Sequence, residues 1–378
     1  MNNRRKHHNK KAYHIWIIIL FILISLAVPT AAADAMFHAD LQHTGVFDNS
    51  EIVPTNNQLW RFTTGNVVFS SPAVSNGVVY VGSVDNNLYA VDAVTGKEKW
   101  RFATGDTVLY SSPAVSNGVV YVGSDDKNLY AVDAVTGKEK WRFTTGKAVY
   151  SSPAVLNGVV YVGSRDNNLY AVDAVTGKEK WQFATGRDVF SSPAVSNGIV
   201  YVGSDDNLLY AIDAVSGTER WRFKTGGVVR SSPAVSNGVV YVGSGDNNLY
   251  AVDAVNGKEK WRFATGVGIW GVFSSPAVSN GVVYVGSGDK DLIAVDAVTG
   301  KEKWRFKTGD SVFSSPAVSN GVVYFGSNDK NLYAVGQVAS TSGGKTKSPL
   351  PVTVVLVSLL IAVVGFGFHR RKNTESIE

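Results

Sequence analysis

From Val67 onward the chain alternates apolar and polar positions in short runs broken by turn residues. VVFSSPAV ends at Val74, Asn76 and Gly77 follow, and VVYVGS returns from Val78 to Ser83. Asn followed by Gly is the strongest short hairpin signal, because both central residues of a type I′ turn need positive φ. Two antiparallel strands are therefore predicted. In the next turn, VDNN, the Asp85 carboxylate can accept from the backbone ahead and Asn87 tolerates a left-handed conformation. LYAVDA makes a third strand, and AVTG turns the chain again with Gly96 as the left-handed residue. KEKWRF makes a fourth strand, with Trp100 and Phe102 on one side and Lys99 and Arg101 on the other. The second and third strands are largely apolar on both faces, so the unit must be covered on both sides.

This pattern of about forty residues restarts at Ser70, Ser111, Ser151, Ser191, Ser231, Ser274 and Ser314. A fixed period written in strand and turn residues specifies a repeat architecture, and four antiparallel strands per period make a propeller blade. There are seven copies of the first three strands. The last stops at Leu332–Val335 with no tryptophan strand after it, whereas Gln58–Gly65, QLWRFTTG, is a fourth strand with no blade before it. Trp60, Trp100, Trp141, Trp181, Trp221, Trp261 and Trp304 thus supply seven fourth strands. The expected fold is all-β: a seven-bladed propeller of four-stranded antiparallel blades over 58–336, closed by its N-terminal strand, which removes exposed sheet edges. Each of these tryptophans is expected to dock on the adjacent blade, in the room left by Gly82 and its copies Gly123, Gly163, Gly203, Gly243, Gly286 and Gly326.

The ends are composed differently. MNNRRKHHNKK is positive, an apolar run spans Ile15–Val28, and small residues follow around Ala31–Ala35, the pattern of a secretory signal peptide over 1–33 with a lead-in segment at 34–57. An uncleaved anchor is the alternative. After a linker at 337–348, residues 349–368 contain PVTVVLVSLLIAVVGFGF, uncharged and long enough at 1.5 Å per residue to cross a core of ~30 Å as a transmembrane helix. His369, Arg370, Arg371 and Lys372 place the tail, 369–378, on the cytoplasmic side. The expected topology is single-pass type I in the cell membrane, with the propeller on the extracellular side. The net charge of +5 is gathered at these ends, so the repeat region is close to neutral and offers no footprint for nucleic acid. Cysteine is absent, which excludes disulfides, thiolate catalysis and thiolate metal sites.

VVYVGSxDxNLYAVDAxTGKEKW resembles the repeat of pyrroloquinoline-quinone-type β-propellers, a family that includes quinoprotein dehydrogenases and outer-membrane assembly lipoproteins of the BamB type. The lead-in MFHADLQHTG, Met36–Gly45, is similar to the segment preceding such repeats in exported proteins, notably archaeal surface proteins. The resemblance covers about Met36–Val335 and implies the propeller fold. Many relatives have eight blades where this chain has seven.

The resemblance also implies a quinone cofactor, held in alcohol dehydrogenases between a tryptophan and a vicinal disulfide, with calcium on acidic and amide residues. A redox site needs unlike groups converging on one reactive atom. Here the disulfide is impossible and the acidic residues are blade-by-blade copies, so neither pyrroloquinoline quinone nor calcium is expected. Asp85 and its copies read as turn-fixing residues, because a stretch such as DDKN lacks the Gly and terminal Glu of a calcium loop. His38, Asp40 and His43 have no third histidine outside the terminal segments, and the blades have none for a Ser–His–Asp triad. No catalytic, cofactor or metal residue is assigned.

Departures from the repeat are the better guide. The connection between blades five and six is lengthened to GVGIWGVF, Gly266–Phe273, and carries Ile269 and Trp270. Arg230 replaces the aromatic residue found at Phe69, Tyr110, Tyr150, Phe190, Phe273 and Phe313, and Arg165 and Arg187 lie on nearby connections of the same face. An exposed Trp with Arg nearby is the composition of an interaction hot spot, while filling a gap between blades is the alternative for Trp270. The expected function is a membrane-anchored scaffold that binds a protein or envelope component, without catalysis. The alternatives are a quinone-dependent dehydrogenase-like or ligand-binding quinoprotein, and a BamB-like envelope assembly factor.

Overall fold

A computed structural model of the chain describes residues 59–268, 271–319 and 321–336. The predicted signal peptide, lead-in, linker, apolar run and tail lie outside the described residues, as do Ile269 and Trp270. Among the described residues no helix is long and apolar enough to cross a membrane.

The repeat folds as its pattern predicts. Blade one has strands at Ala73–Ser75, Val78–Ser83, Asn87–Asp92 and Glu98–Ala103, paired antiparallel in sequence order. Five more four-stranded sheets repeat it, and blade seven has three strands, Ala317–Ser319, Val322–Gly326 and Leu332–Gly336. Asn76 and Gly77 hold φ of 49° and 73°, as a type I′ turn requires, and Gly96 is left-handed at 68°. In the second turn the left-handed residue is Asn86, at 70°, and not Asn87. Asn87 instead starts the third strand, and its backbone N–H donates to Asp85 Oδ1 at 3.1 Å.

The apolar core lies between blades. Each cluster joins two neighbours, for example Tyr80, Leu88 and Ala90 of blade one with Val120, Tyr130 and Val132 of blade two. The sequence pattern places the tryptophans against Gly82 and its copies, and the structure corrects this. A Cβ on Gly82 would strike Val108, which enters from the connection to the next blade. The tryptophan docks one turn away, on the glycine between third and fourth strands: a Cβ on Gly137 would lie 2.7 Å from Trp100 Cδ2. The indole sits there because it has a partner for its N–H. Trp100 Nε1 donates to the Ala134 carbonyl at 3.0 Å, and Tyr80 Oη donates to the same oxygen at 3.2 Å. Two donors from one blade thus clamp one carbonyl of the next, which satisfies buried polar groups on both sides.

The closing strand expected at 58–65 is not formed among the described residues. Residues 59–64 carry no strand, and Leu332 in the third strand of blade seven is 80% exposed where its counterpart Leu88 is 0%. The segment has nevertheless kept its face toward blade one. Trp60 Nε1 donates to the Ala93 carbonyl at 3.0 Å, Phe62 meets Tyr89 edge-on at 5.2 Å, and Gly65 N donates to Asp85 Oδ2 at 2.6 Å. The link between blades one and two is built the same way, with Trp100 on Ala134, Phe102 on Tyr130 at 5.2 Å and Gly105 on Asp126 at 2.6 Å. Side-chain docking on blade one is local in sequence. Pairing with blade seven joins the two ends of the repeat array, where loop-closure entropy is largest.

Acid should loosen the blades together. Asp92, Asp133, Asp173 and Asp296 each accept from the backbone N–H of a threonine in the turn after the third strand, which holds their carboxyls below the ordinary range, to about 2 for Asp296. A carboxyl depressed in the folded state stabilises it above the unfolded pKa, and this contribution is lost as pH falls through the folded one. The melting temperature is therefore expected to drop between about pH 4 and about pH 2, less steeply when Asp133, Asp173 and Asp296 are Asn. An unchanged slope in the triple variant would count against these turns.

Candidate binding site at the axial mouth

The first strands line the axis, and short bonds between them fix its inner wall. Ser71 N donates to Ser112 Oγ at 2.9 Å, Ser112 N to Ser152 Oγ at 2.9 Å, and the series continues to Ser275 N and Ser315 Oγ at 3.1 Å. The residue just before each serine pair faces a cavity of about 530 Å³, lined by Phe69, Tyr110, Tyr150, Phe190, Arg230, Phe273 and Phe313. Neighbouring rings touch: Tyr110 meets Tyr150 edge-on at 5.3 Å, and Tyr150 meets Phe190 at 5.5 Å.

Arg230 fills its place in this ring with a guanidinium. Its Cζ lies 4.6 Å from the centre of Phe190 and 5.7 Å from that of Phe273, so the charge bridges two rings that a seventh aromatic would otherwise join. Asp205 holds it in a fork, with Nη2 at 2.7 Å and Nε at 2.9 Å, and this pairing raises the pKa of Arg230 further. Arg165 repeats the device one blade earlier, 5.2 Å from the Tyr150 centre and 5.4 Å from that of Phe190, with Nε bonded to Asp188 Oδ2 at 3.0 Å. Asp125 accepts from the Tyr150 hydroxyl at 3.3 Å and leaves its Oδ1 buried without a partner. Burial pushes its carboxyl above the usual range.

Two of the three arginines singled out from sequence, Arg165 and Arg230, are thus brought together over one ring, Phe190. Arg187 is not part of this cluster. It is exposed and lines a separate polar cavity of about 390 Å³ with Lys147, Asn167, Asp188 and Asp205. Ile269 and Trp270 lie outside the described residues, while Val272 after them is buried.

Sequence reasoning missed Asp125, Asp188 and Asp205, which decide where the guanidiniums point. A signal existed. Asp125, Arg165 and Asp205 occupy the repeat position that is Val84 in blade one and Gly245 in blade five, and Asp188 occupies that of Val67 and Val228. Charge at these variable positions is confined to blades two to four and their connections. The seven-fold copies Asp85, Asp126 and Asp166 are spent on structure, as the turn reading expects: Asp126 accepts from Asn128 N at 3.0 Å, Gly105 N at 2.6 Å and Tyr130 Oη at 2.5 Å.

Comparison with known proteins places the repeats. The family described as outer membrane protein assembly factor BamB matches residues 51–112, 106–193, 184–277 and 263–343. The assembly factor BamB of Burkholderia pseudomallei is 41% identical over 49 residues, 13% of this chain and 13% of that relative. The crystal structure of BamB from Moraxella catarrhalis superposes with a TM-score of 0.65 at 20% identity, covering 73% of this chain and 87% of that one. Quinohemoprotein alcohol dehydrogenase from Comamonas testosteroni superposes with a TM-score of 0.69 at 18% identity, covering 82% and 72%. At these identities the structural likeness is one of fold.

Proposed function

The chain belongs to the family of the outer membrane protein assembly factor BamB, and from that premise we propose that it is a membrane-anchored extracellular propeller which binds a protein or envelope component at its axial mouth. The observation that carries this reading is the sector formed by Arg165, Arg230, Tyr150, Phe190 and Phe273, where the repeat is broken and two guanidiniums lie over aromatic rings. Planar cations on rigid rings at a concave mouth have the composition of a binding hot spot. Ile269 and Trp270 belong to the same face by sequence. The uncharged run at 349–368, followed by Arg370, Arg371 and Lys372, supports the anchor and its orientation. The docking of Trp60, Phe62 and Gly65 on blade one supports closure of the ring by their segment.

This reading leaves out a quinone cofactor. A ligand that carries several carboxylates calls for free cations, and the guanidiniums of Arg165 and Arg230 over the aromatic ring are already held by Asp188 and Asp205. The two unspent polar atoms there, on Asp125 and Thr107, are not cationic. Family membership favours a second reading in which the captured partner is itself an envelope protein undergoing assembly.

Crosslinking of the anchored protein on intact cells tests the site. With Trp270→Ala and Arg230→Ala combined, recovered partner should fall at least about tenfold, as loss of more than about 1.4 kcal/mol of contact implies. Arg230→Lys should weaken capture as well, since an ammonium keeps the Asp205 pair but not the plane stacked on Phe190. Undiminished capture by the double variant would remove this surface from consideration.

A further inference from the structure

The face opposite the mouth carries a ring of apolar turns. The turn between third and fourth strands exposes Val94, Val135, Val175, Val215, Val255 and Val298, each between 80% and 86% accessible. A valine that open has no structural task. The turn itself is fixed by the aspartate and threonine beside it, with Asp92 Oδ1 accepting from Val94 N and Thr95 N. The six occupy one repeat position in consecutive blades and therefore recur around the axis on one face.

The same turns carry lysines that no carboxylate holds. An exposed lysine follows the turn in five blades, Lys97, Lys138, Lys178, Lys258 and Lys301. The carboxylates of these turns pair instead with Lys99, Lys140, Lys180, Lys260 and Lys303, and among the described residues none pairs with the first five. Five of the six valine turns thus set an exposed valine beside an exposed lysine that is not ion-paired, while the aspartate of the turn is held by the second lysine.

The chain also leaves the propeller on the valine face. Gly336 ends the last described strand opposite Val322, in the register that Asp92 holds opposite Val78, one step before the valine turn. Residues 337–348 and then the uncharged run of 349–368 follow in sequence.

We propose that the valine and lysine circle rests on the lipid surface of the membrane that anchors the chain, with the valines in the headgroup boundary and the lysines against anionic headgroups, so that the axial mouth faces away from the bilayer. The proposal rests on the anchor reading above. Apolar side chains flanked by lysine bind an interface through buried apolar area and attraction to anionic lipid together. A neutral bilayer satisfies only the first.

The chain has no cysteine, so single labels are specific. The full chain is placed in phosphatidylglycerol-containing nanodiscs, with an environment-sensitive dye on Val175→Cys or, on the mouth face, on Lys147→Cys, and with spin-labelled lipid as quencher. The Val175→Cys label should emit to the blue and be quenched at least about twofold more than the Lys147→Cys label, with a smaller difference in phosphatidylcholine alone. Changing the five lysines to Gln should abolish the dependence on lipid charge. Retention on the discs after an alkaline wash reports on the anchor separately: a chain lost in the wash overturns the anchor and this proposal with it. A retained chain with equal quenching at both labels overturns the proposal alone. A blue shift that persists without lipid and grows with protein concentration assigns the circle to a second copy and equally overturns it.

Discussion

Trp221→Ala is expected to cost about 3–5 kcal/mol of folding stability, read as a lower urea midpoint with the unfolding slope preserved. Trp221 is 9% exposed and serves three contacts at once. Its ring lies 5.8 Å from Tyr201 in its own blade, its edge fills the hollow over Gly257 of the next blade, and its Nε1 donates to the Ala254 carbonyl at 3.1 Å. Truncation leaves a cavity that the flanking turn, fixed by Asp253 on Val255 N and Asn256 N, is poorly placed to collapse into. It does not orphan the carbonyl, because Tyr201 Oη also donates to Ala254 O at 3.2 Å. Volume therefore dominates over the hydrogen bond, and Trp221→Phe, which restores most of the ring without the N–H, should recover all but about 1–2 kcal/mol. Adding Tyr201→Phe to Trp221→Phe strips both donors and should cost more than the two single changes summed. A loss under about 1 kcal/mol for Trp221→Ala would mean that the blades are held elsewhere.

The repeat made most of this legible in advance. Seven copies of an Asn-Gly turn and a Trp strand leave little freedom in fold class, because turn chemistry, strand alternation and period agree at every level. What escaped was contact between blades, since alternation says which side of a strand is buried and not what meets it. Both Gly82 and Gly96 are small residues beside an apolar strand, and only geometry assigns Val108 to the first and Trp60 to the second. The left-handed residue of the second turn escaped for a related reason. Its position is Asn86 in blade one but Lys127, Lys290 and Lys330 in three others, so residue type carries no consistent signal for positive φ there. At the mouth, Arg230 stood out because it breaks an aromatic column. Its partner Asp205 did not, because one acid beside the repeated Asp206 looks like part of a turn.

The same division between local rule and packing sets the second large effect. Gly243→Ala is expected to destabilise the fold by about 3 kcal/mol, whereas Gly238→Ala, five residues earlier, should cost about 1 kcal/mol. Gly238 is left-handed at φ 73° and a Cβ there would have nothing within 4 Å, so alanine meets only backbone strain. Gly243 shows no such conformation, but its Cβ would fall 2.6 Å from the Val272 carbonyl oxygen, and backbone cannot rotate away as a side chain can. Retreat is further blocked because Gly243 N is bonded to Ser231 Oγ at 3.0 Å and Val272 N to the Ser244 carbonyl at 2.9 Å. Val272 follows Trp270 closely in sequence and is fully buried, so the strain enters at the base of the lengthened connection. Partner capture should then fall together with melting temperature in Gly243→Ala, and without it in Trp270→Ala. Equal melting temperatures for the two glycine variants would show that the blades slide apart to admit a methyl group, and that the close approach of Val272 is not what sets the spacing between blades five and six.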